Sequence, residues 1–187
     1  MLKRIARVVV RLMRWKIEGE LPPHPKMVMV GAPHTSNWDF PLAMVFAPAL
    51  GVRIRFLGKH TLFRKPFGWF FRMLGGIPVD RSKAAGVIQQ TVTAFEETDH
   101  LNLVIAPEGT RGKRDYWKAG FYRIALGAQV PIVLIGLDGV NRRLRVGPDF
   151  IPTGNVRADM DRIREFYEGC RGVRPDLSGE VRLRKED

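Results

Sequence analysis

The segment His34-Thr35-Ser36-Asn37-Trp38-Asp39 combines residue types that can carry out acid–base chemistry. It stands between a short apolar run, residues 27–30, and a helical pattern, residues 40–50. A carboxylate five residues after an imidazole can hold one ring nitrogen, which leaves the other to take a proton from a hydroxyl. The same spacing also fits a helix cap in which His34 is only a loop residue. Spacing alone leaves both interpretations open.

Two further polar clusters stand at the ends of apolar runs. Ala106-Pro107-Glu108-Gly109-Thr110-Arg111 follows residues 101–105, and Arg81 closes the block that starts at Gly75. Arginine offers a forked set of donors that suits phosphate, and glycine lets the backbone approach a ligand closely. The alternatives are a polar turn in which Glu108 pairs with Arg111, and a surface ion pair for Arg81. Lys118 is a weaker candidate, since a solvated cation would look the same.

The elements that must position these residues alternate between apolar runs and helical patterns. This alternation predicts an α/β fold: a single domain with a mostly parallel or mixed sheet flanked by helices. Strands are expected at residues 27–30, 53–57, 77–79, 101–105, 132–137 and 143–146, and helices at residues 40–50, 65–74, 83–95, 121–126 and 158–167. Polar clusters that end parallel strands meet at one edge of the sheet, where ligands bind.

Residues 1–20 are expected to form an amphipathic helix, residues 21–170 the main domain and residues 171–187 a loose, charged tail. Within residues 1–17, five cations share one side of the helix: Lys3, Arg4, Arg7, Arg11 and Arg14. Leu2, Ile5, Val8, Val9, Leu12 and Met13 fill the other side. Such a helix can lie on an anionic membrane surface. It can equally pack its apolar side on its own domain, so both possibilities stay open.

The 187 residues carry 31 Lys and Arg against 19 Asp and Glu, a net charge of +12. This balance favours a polyanionic partner: nucleic acid, an anionic membrane or a phosphorylated ligand. No nucleic-acid recognition motif is present, so we expect no nucleic-acid partner. A single cysteine, Cys170, and four widely spaced histidines predict no disulfide and no metal site. The longest uncharged stretch has 13 residues, too short to span a bilayer. We therefore expect a cytoplasmic protein, peripheral on the inner face of the cell membrane.

These blocks together resemble the glycerolipid acyltransferase family, which includes the lysophosphatidic acid acyltransferases. His34 and Asp39 match its His-x4-Asp element, and Pro107 to Arg111 match its Pro-Glu-Gly-Thr-Arg element. The blocks that end at Arg81 and begin at Val130 are similar to two more, in the family's order, over roughly residues 20 to 150. The chain departs from many members at Pro33 and Ala106, and it lacks their hydrophobic N-terminal segments.

The resemblance implies direct transfer of a fatty acyl group from an acyl thioester to the free hydroxyl of a lysophospholipid, here lysophosphatidic acid. His34 would be the general base and Asp39 its partner. The substrate-binding residues would be Arg81, Glu108, Gly109, Thr110, Arg111 and Lys118. Acyl-CoA or acyl-carrier protein would be the co-substrate, with no other cofactor. Two alternatives remain. The acceptor can be another lysophospholipid or another alcohol, or the chain can be a non-catalytic basic module that binds membrane or nucleic acid.

Overall fold

The apolar runs become the strands of one sheet in the computed structural model, which describes residues 1–80 and 84–186. The strands are β1 (Lys16–Glu18), β2 (Lys26–Ala32), β3 (Arg55–Lys59), β4 (Gly76–Val79), β5 (Leu101–Ile105), β6 (Ile132–Asp138) and β7 (Arg143–Phe150). Their order is β1-β7-β6-β2-β5-β3-β4, and of these pairs only β6 and β7 are antiparallel. The predicted α/β fold with a mixed sheet is confirmed.

Within residues 1–80 and 84–186, six α-helices surround this sheet. They are α1 (Leu2–Leu12), α2 (Asp39–Leu50), α3 (Gly68–Met73), α4 (Ala84–Glu96), α5 (Gly120–Ala128) and α6 (Val156–Tyr167), with 3-10 turns at His60–Phe63 and Pro175–Leu177. One face packs against α4, α5 and α6 around Phe95, Phe121 and Ile163. The other face lies under α1 and α2 around Phe46 and Leu137. A sheet covered on both faces needs strands that are apolar on both sides.

The central strand β2 shows why its sequence is a continuous apolar run. Val28 and Val30 belong to the core beneath α5 and α6, whereas Met27 and Met29 face the opposite way. Successive strand residues point to opposite faces, so both sets are buried. β2 pairs in parallel with β5 on one side and β6 on the other. The loops that follow β2 and β5 therefore emerge side by side at the same edge of the sheet.

The N-terminal helix is shorter than predicted. It ends at Leu12, and Lys16–Glu18 forms the edge strand β1, which pairs in parallel with β7. Residues 14–17 therefore do not continue the helix. In this pairing of β1 with β7, Lys16 lies opposite Arg143, which is 127 residues further along the chain. No local sequence pattern indicates such a long-range contact. Likewise α3 begins only at Gly68, three residues later than expected.

The orientation of α1 differs from the expectation that its apolar side might pack on the domain. Ala6 and Val10 are the buried residues of α1, and they pack against α2. Arg7 Nε donates to the carbonyl of Ala49 over 3.2 Å, near the C-terminal end of α2 where a cation is favourable. At about 100° per residue, the centre of this docking side lies roughly 120° around the helix from the centre of the apolar stripe. The stripe is exposed, with exposed fractions from 53% to 77% for Leu2, Ile5, Val8 and Leu12.

The C-terminal tail is docked, so the expectation of a loose tail is wrong. The backbone N–H of Trp117 donates to the carbonyl of Arg182 over 2.7 Å, and Leu183 is buried in the core beside Trp117. Glu186 accepts two hydrogen bonds from the Arg164 guanidinium, at 2.9 and 3.1 Å. The composition of this segment is typical of a solvated chain, but these contacts come from distant residues that composition does not reveal.

Candidate active site

His34 lies in the loop between β2 and α2, and its side chain is in direct contact with Asp39, the first residue of α2. His34 Nδ1 is 2.9 Å from Asp39 Oδ2. An ionised carboxylate can only accept, so Nδ1 carries the proton of this bond. Nε2 is then the nitrogen left for a substrate, and His34 lines a large cavity. The geometry is that of a general base held by a carboxylate.

Asp39 also organises the backbone of its own loop. It is the first residue of α2, and its Oδ2 accepts the backbone N–H groups of Thr35 and Ser36 at 2.8 and 2.9 Å. Ser36 Oγ accepts the N–H of Trp38 over 3.2 Å. The histidine-pairing interpretation therefore holds, whereas the capping interpretation does not, because the N-cap residue of α2 is Trp38 and no side chain caps the helix. The same carboxylate instead binds the turn that precedes α2. Turn and histidine are positioned together.

Glu108 supports the catalytic loop from the neighbouring strand. It follows β5, the parallel neighbour of β2, and its Oε1 accepts the backbone N–H of His34 over 3.1 Å. The Glu108 side chain is only 6% exposed, and Oε2 has no hydrogen-bond partner among the described residues. Burial raises the pKa of Glu108 above its ordinary value, although hydrogen bonds from the N–H groups of Glu108 and His34 oppose this. Glu108 therefore contacts the loop that carries the base.

A second support, which sequence reasoning missed, comes from the segment after α6. The buried Thr35 hydroxyl accepts the backbone N–H of Arg174 over 3.0 Å. A Cβ on Gly172 would lie 2.4 Å from that same oxygen, so the backbone approach needs glycine. Nearby, Gly139 N–H donates to the Arg171 carbonyl over 2.7 Å. The available signal in the sequence was a glycine directly after Arg171, but it points to no particular partner.

The cavity at this edge of the sheet has a volume of about 1130 Å³. Its walls are mainly apolar and extend beneath α2, where they include Phe46, Leu50, Phe56, Phe71, Ile135 and Leu137. His34 and Asp39 stand at its polar end, together with Arg111, Lys118 and Arg123. A cavity with a long apolar part and a cationic end suits an amphiphilic ligand with an anionic head. Arg123 was not predicted as a site residue, because a cation in a helical pattern resembles a solvated surface residue.

The remaining predicted substrate-binding residues do not all share this cavity. Gly109 and Arg111 line it, and the side chain of Lys118 lies over Gly109, whose φ of +65° favours glycine. Thr110 is half-buried, and its Oγ1 lies 3.5 Å from the Gly112 nitrogen. Arg81 lies outside the described residues. Glu108 is paired with the His34 backbone, which does not support the alternative of a turn built on a Glu108–Arg111 pair.

The aromatic segment before β4, residues 62–74, is only partly packed against the rest of the domain. The rings of Phe71 and Phe40 are tilted by 53° to each other with their centres 6.5 Å apart, and Phe71 lines the cavity. Phe67, Trp69 and Met73, by contrast, have exposed fractions of 65% to 67%. The segment therefore lines the cavity with one side and presents large apolar side chains on the surface with the other. In the described residues, 1–80 and 84–186, we find no helix long and apolar enough to cross a membrane.

An α/β sheet that places a carboxylate-held histidine at the polar end of a deep apolar cavity is suited to acid–base chemistry on an amphiphilic substrate. A family model described as Acyltransferase matches residues 14–137. This chain belongs to that family of enzymes, as the resemblance of its motifs predicted.

Individual relatives support the same assignment. The chain is 32% identical over 160 residues to a 1-acyl-sn-glycerol-3-phosphate acyltransferase of Streptococcus pneumoniae, an alignment that covers 77% of this chain and 59% of the relative. A protein of the same name from Limnanthes douglasii is 29% identical, over 71% of this chain and 48% of its own length. The chain thus spans about half to three fifths of the length of these relatives.

A solved structure supports the fold. The crystal structure of the 1-acyl-sn-glycerophosphate acyltransferase PlsC from Thermotoga maritima matches with a TM-score of 0.59 and 16% sequence identity. The match covers 89% of this chain and 74% of that protein. At this identity the match supports the shared architecture and carries no information about substrates.

Proposed function

We propose that this chain transfers a fatty acyl group from an acyl thioester to the free hydroxyl of lysophosphatidic acid, which yields phosphatidic acid for phospholipid synthesis. The observation that carries the proposal is the His34–Asp39 pair at the polar end of the apolar cavity. The names of the relatives agree with this acceptor.

In the proposed reaction, His34 Nε2 removes the proton from the acceptor hydroxyl while the oxygen of that hydroxyl attacks the carbonyl carbon of the thioester. The new C–O bond forms, the C–S bond breaks, and the sulfur leaves with the electron pair of that bond. The imidazolium then returns its proton to the thiolate, so base and charge are restored. Asp39 Oδ2 holds the Nδ1–H and stabilises the transient imidazolium. General-base catalysis contributes about 10² to 10⁴-fold, so positioning of the two substrates must supply the rest.

The substrates are assigned by the chemistry of the cavity walls. The apolar part beneath α2 accepts fatty acyl chains, and the cations Arg111 and Lys118 attract the acceptor phosphate. Arg81 is proposed for the same role on the resemblance alone. Either acyl-CoA or acyl-carrier protein serves as donor in this proposal, with no further cofactor.

Access to a lipid acceptor is proposed to occur at a membrane surface, peripherally on the inner face of the cell membrane. The exposed apolar stripe of α1 points away from the domain, and Arg4 and Arg11 flank it as exposed cations. Phe40 of α2 packs against Phe71 of α3, so α3, with its exposed aromatics, lies beside the helix on which α1 docks. Apolar side chains would enter the interface while the cations meet anionic headgroups.

The test is release of free thiol from acyl-CoA by the purified chain with lysophosphatidic acid on anionic vesicles. His34→Ala should abolish transfer, whereas His24→Ala should leave it unchanged. His24 is a matched control because its Nε2 also contacts a carboxylate, Asp149, at 2.6 Å, and it does not line the cavity. Vesicle binding and the unfolding temperature should be the same in all three proteins.

Three outcomes would overturn parts of this proposal. Equal transfer by wild type and His34→Ala would remove His34 as the base. Transfer to another lysophospholipid or alcohol, but not to lysophosphatidic acid, would replace the acceptor. Salt-sensitive binding to duplex DNA, with no transfer to any acceptor, would favour a basic binding module instead.

A further inference from the structure

The last residues of the chain form part of the wall of the catalytic cavity. Leu183, Arg184 and Lys185 line the cavity that His34, Arg111 and Lys118 also line. None of the three belongs to the segment matched by the family model, which ends at residue 137. The question is whether this segment is held firmly enough to present its two cations to a ligand.

Several contacts hold the segment in place on both of its sides. Trp117 and Leu183 form a parallel bridge, with the hydrogen bond from Trp117 N–H to the Arg182 carbonyl noted above. Arg182 Nε donates to the carbonyl of Asp115 over 2.9 Å. A Cβ on Gly179 would lie 2.2 Å from the Arg114 carbonyl oxygen, so the chain enters this contact through a residue without a side chain. Residues 179–183 are therefore anchored along residues 114–117.

The far end of the segment is anchored as well. Glu186 Oε1 accepts the backbone N–H of Leu183 over 2.7 Å, and the Glu186 carboxylate accepts two hydrogen bonds from Arg164 of α6. Arg184 and Lys185 thus lie between two fixed points, the buried Leu183 and the paired Glu186. Both cations are exposed, as are Arg111 and Lys118. The Arg184 guanidinium lies 5.7 Å from the ring centre of Tyr116, which also lines the cavity.

The parallel bridge brings two cations of the cavity wall close to one another in the pairing. Both segments run in the same direction at the bridge, and Lys118 and Arg184 are the residues that follow the bridged Trp117 and Leu183. Lys118 in turn lies over Gly109, in the loop next to His34. The cations of the C-terminal segment thus continue the basic end of the cavity that begins at the catalytic loop. Acidic residues near it, such as Glu180 and Glu186, are paired with Arg182 and Arg164.

We propose that Arg184 and Lys185 form, with Lys118, a binding site for a phosphate ester of a substrate. The chemistry follows from the donors: a guanidinium and two ammonium groups at the polar end of an otherwise apolar cavity fit phosphate oxygens. The proposal rests on the proposed acyl transfer for the identity of the ligand, since both the lysophosphatidic acid acceptor and a CoA thioester carry phosphate. It makes the C-terminal segment a component of the active site.

The test uses the full-length double variant Arg184→Ala/Lys185→Ala against the double variant Arg157→Ala/Arg162→Ala. The control removes the same charge from α6, at residues that do not line the cavity. Calorimetric titration with lysophosphatidic acid and, separately, with CoA measures binding without any need for turnover. We expect the first variant to bind one of these probes about tenfold or more weakly, the loss typical of charge-assisted hydrogen bonds, and the control to bind like wild type.

Turnover distinguishes the two sources of phosphate. If the site takes the acceptor, KM for lysophosphatidic acid should rise more than KM for monoacylglycerol, which lacks the phosphate. If it takes the donor, KM for acyl-CoA should rise more than KM for an acyl N-acetylcysteamine thioester. The inference would be overturned if the Arg184/Lys185 variant bound each probe as tightly as the wild type does. It would also be overturned if the wild type bound neither probe. A third outcome is that the wild type binds a probe but transfers no acyl group, and that the Arg184/Lys185 variant loses this binding. This result would keep the phosphate site and reject only the proposed reaction.

Discussion

Glu108 Oε1 accepts the backbone N–H of His34 over 3.1 Å, although 74 residues separate the two in the sequence. The contact is possible because β2 and β5 are parallel neighbours, so the loops that follow them leave the sheet side by side. The chemistry of the proposed site thus depends on a pair of loops, one that carries the base and one that fixes its backbone.

Glu108→Ala should lower transfer by about tenfold or more, because the buried His34 N–H loses its acceptor. It should also lower the free energy of unfolding by about 1–3 kcal/mol, the usual effect of one unsatisfied buried group. Glu108→Gln keeps an acceptor oxygen and should retain most of the activity. Thiol release and thermal unfolding measure both effects. If the Gln variant is as inactive as the Ala variant, the carboxylate acts on the substrate or on an Arg instead, which was the original expectation.

The raised pKa of Glu108 has a consequence for stability. The folded state binds a proton at this carboxyl more tightly than the unfolded state, whose pKa is close to the ordinary 4.5. The stability of the wild type relative to Glu108→Gln should therefore be greatest below pH 4.5 and fall as the pH rises through the pKa of the folded state. Urea unfolding of both proteins from pH 4 to pH 8 measures this difference. A difference that grows with pH would contradict the assignment of burial as the dominant cause.

Asp39→Asn should reduce the rate of transfer by about 10² to 10⁴-fold, since the amide does not stabilise the imidazolium as a carboxylate does. The amide oxygen can still accept from Thr35 and Ser36, so folding should be retained. Asp149→Asn is the matched control, because Asp149 contacts His24 outside the cavity. Single-turnover rates with acyl-CoA measure the effect. Similar rates for Asp39→Asn and wild type would show that the carboxylate serves only the turn.

Ile5→Glu/Leu12→Glu should weaken binding to anionic vesicles by at least tenfold, because both side chains belong to the exposed stripe of α1. Since neither residue is buried, the unfolding temperature should change little. Ile151→Glu is the control: Ile151 is also exposed but lies outside α1. Vesicle co-sedimentation at several salt concentrations measures binding. If Ile151→Glu weakens vesicle binding as much as the double variant does, the effect comes from charge alone. If the double variant binds vesicles as well as wild type, α1 is not the membrane contact.

Local patterns predicted much of the architecture. The strand over Leu101–Ile105 was predicted with the bounds that the structure has, and a helix from residue 40 differs from α2 by one residue. Such elements follow from runs of apolar residues that must be buried and from the spacing of residues on a helix. The His34–Asp39 contact was accessible for the same reason, since five residues across one turn limit where the carboxylate can lie.

The sequence by itself thus determined the α/β fold class, the family and the residues of the proposed base and its partner, because these depend on short-range spacing. Only the tertiary structure decided that Glu108 holds the His34 backbone, that the stripe of α1 points outward and that the C-terminal segment lines the cavity. Each of these depends on which distant segments become neighbours. That choice is made by the pairing order of the strands and the packing of the whole core, and no local pattern encodes it.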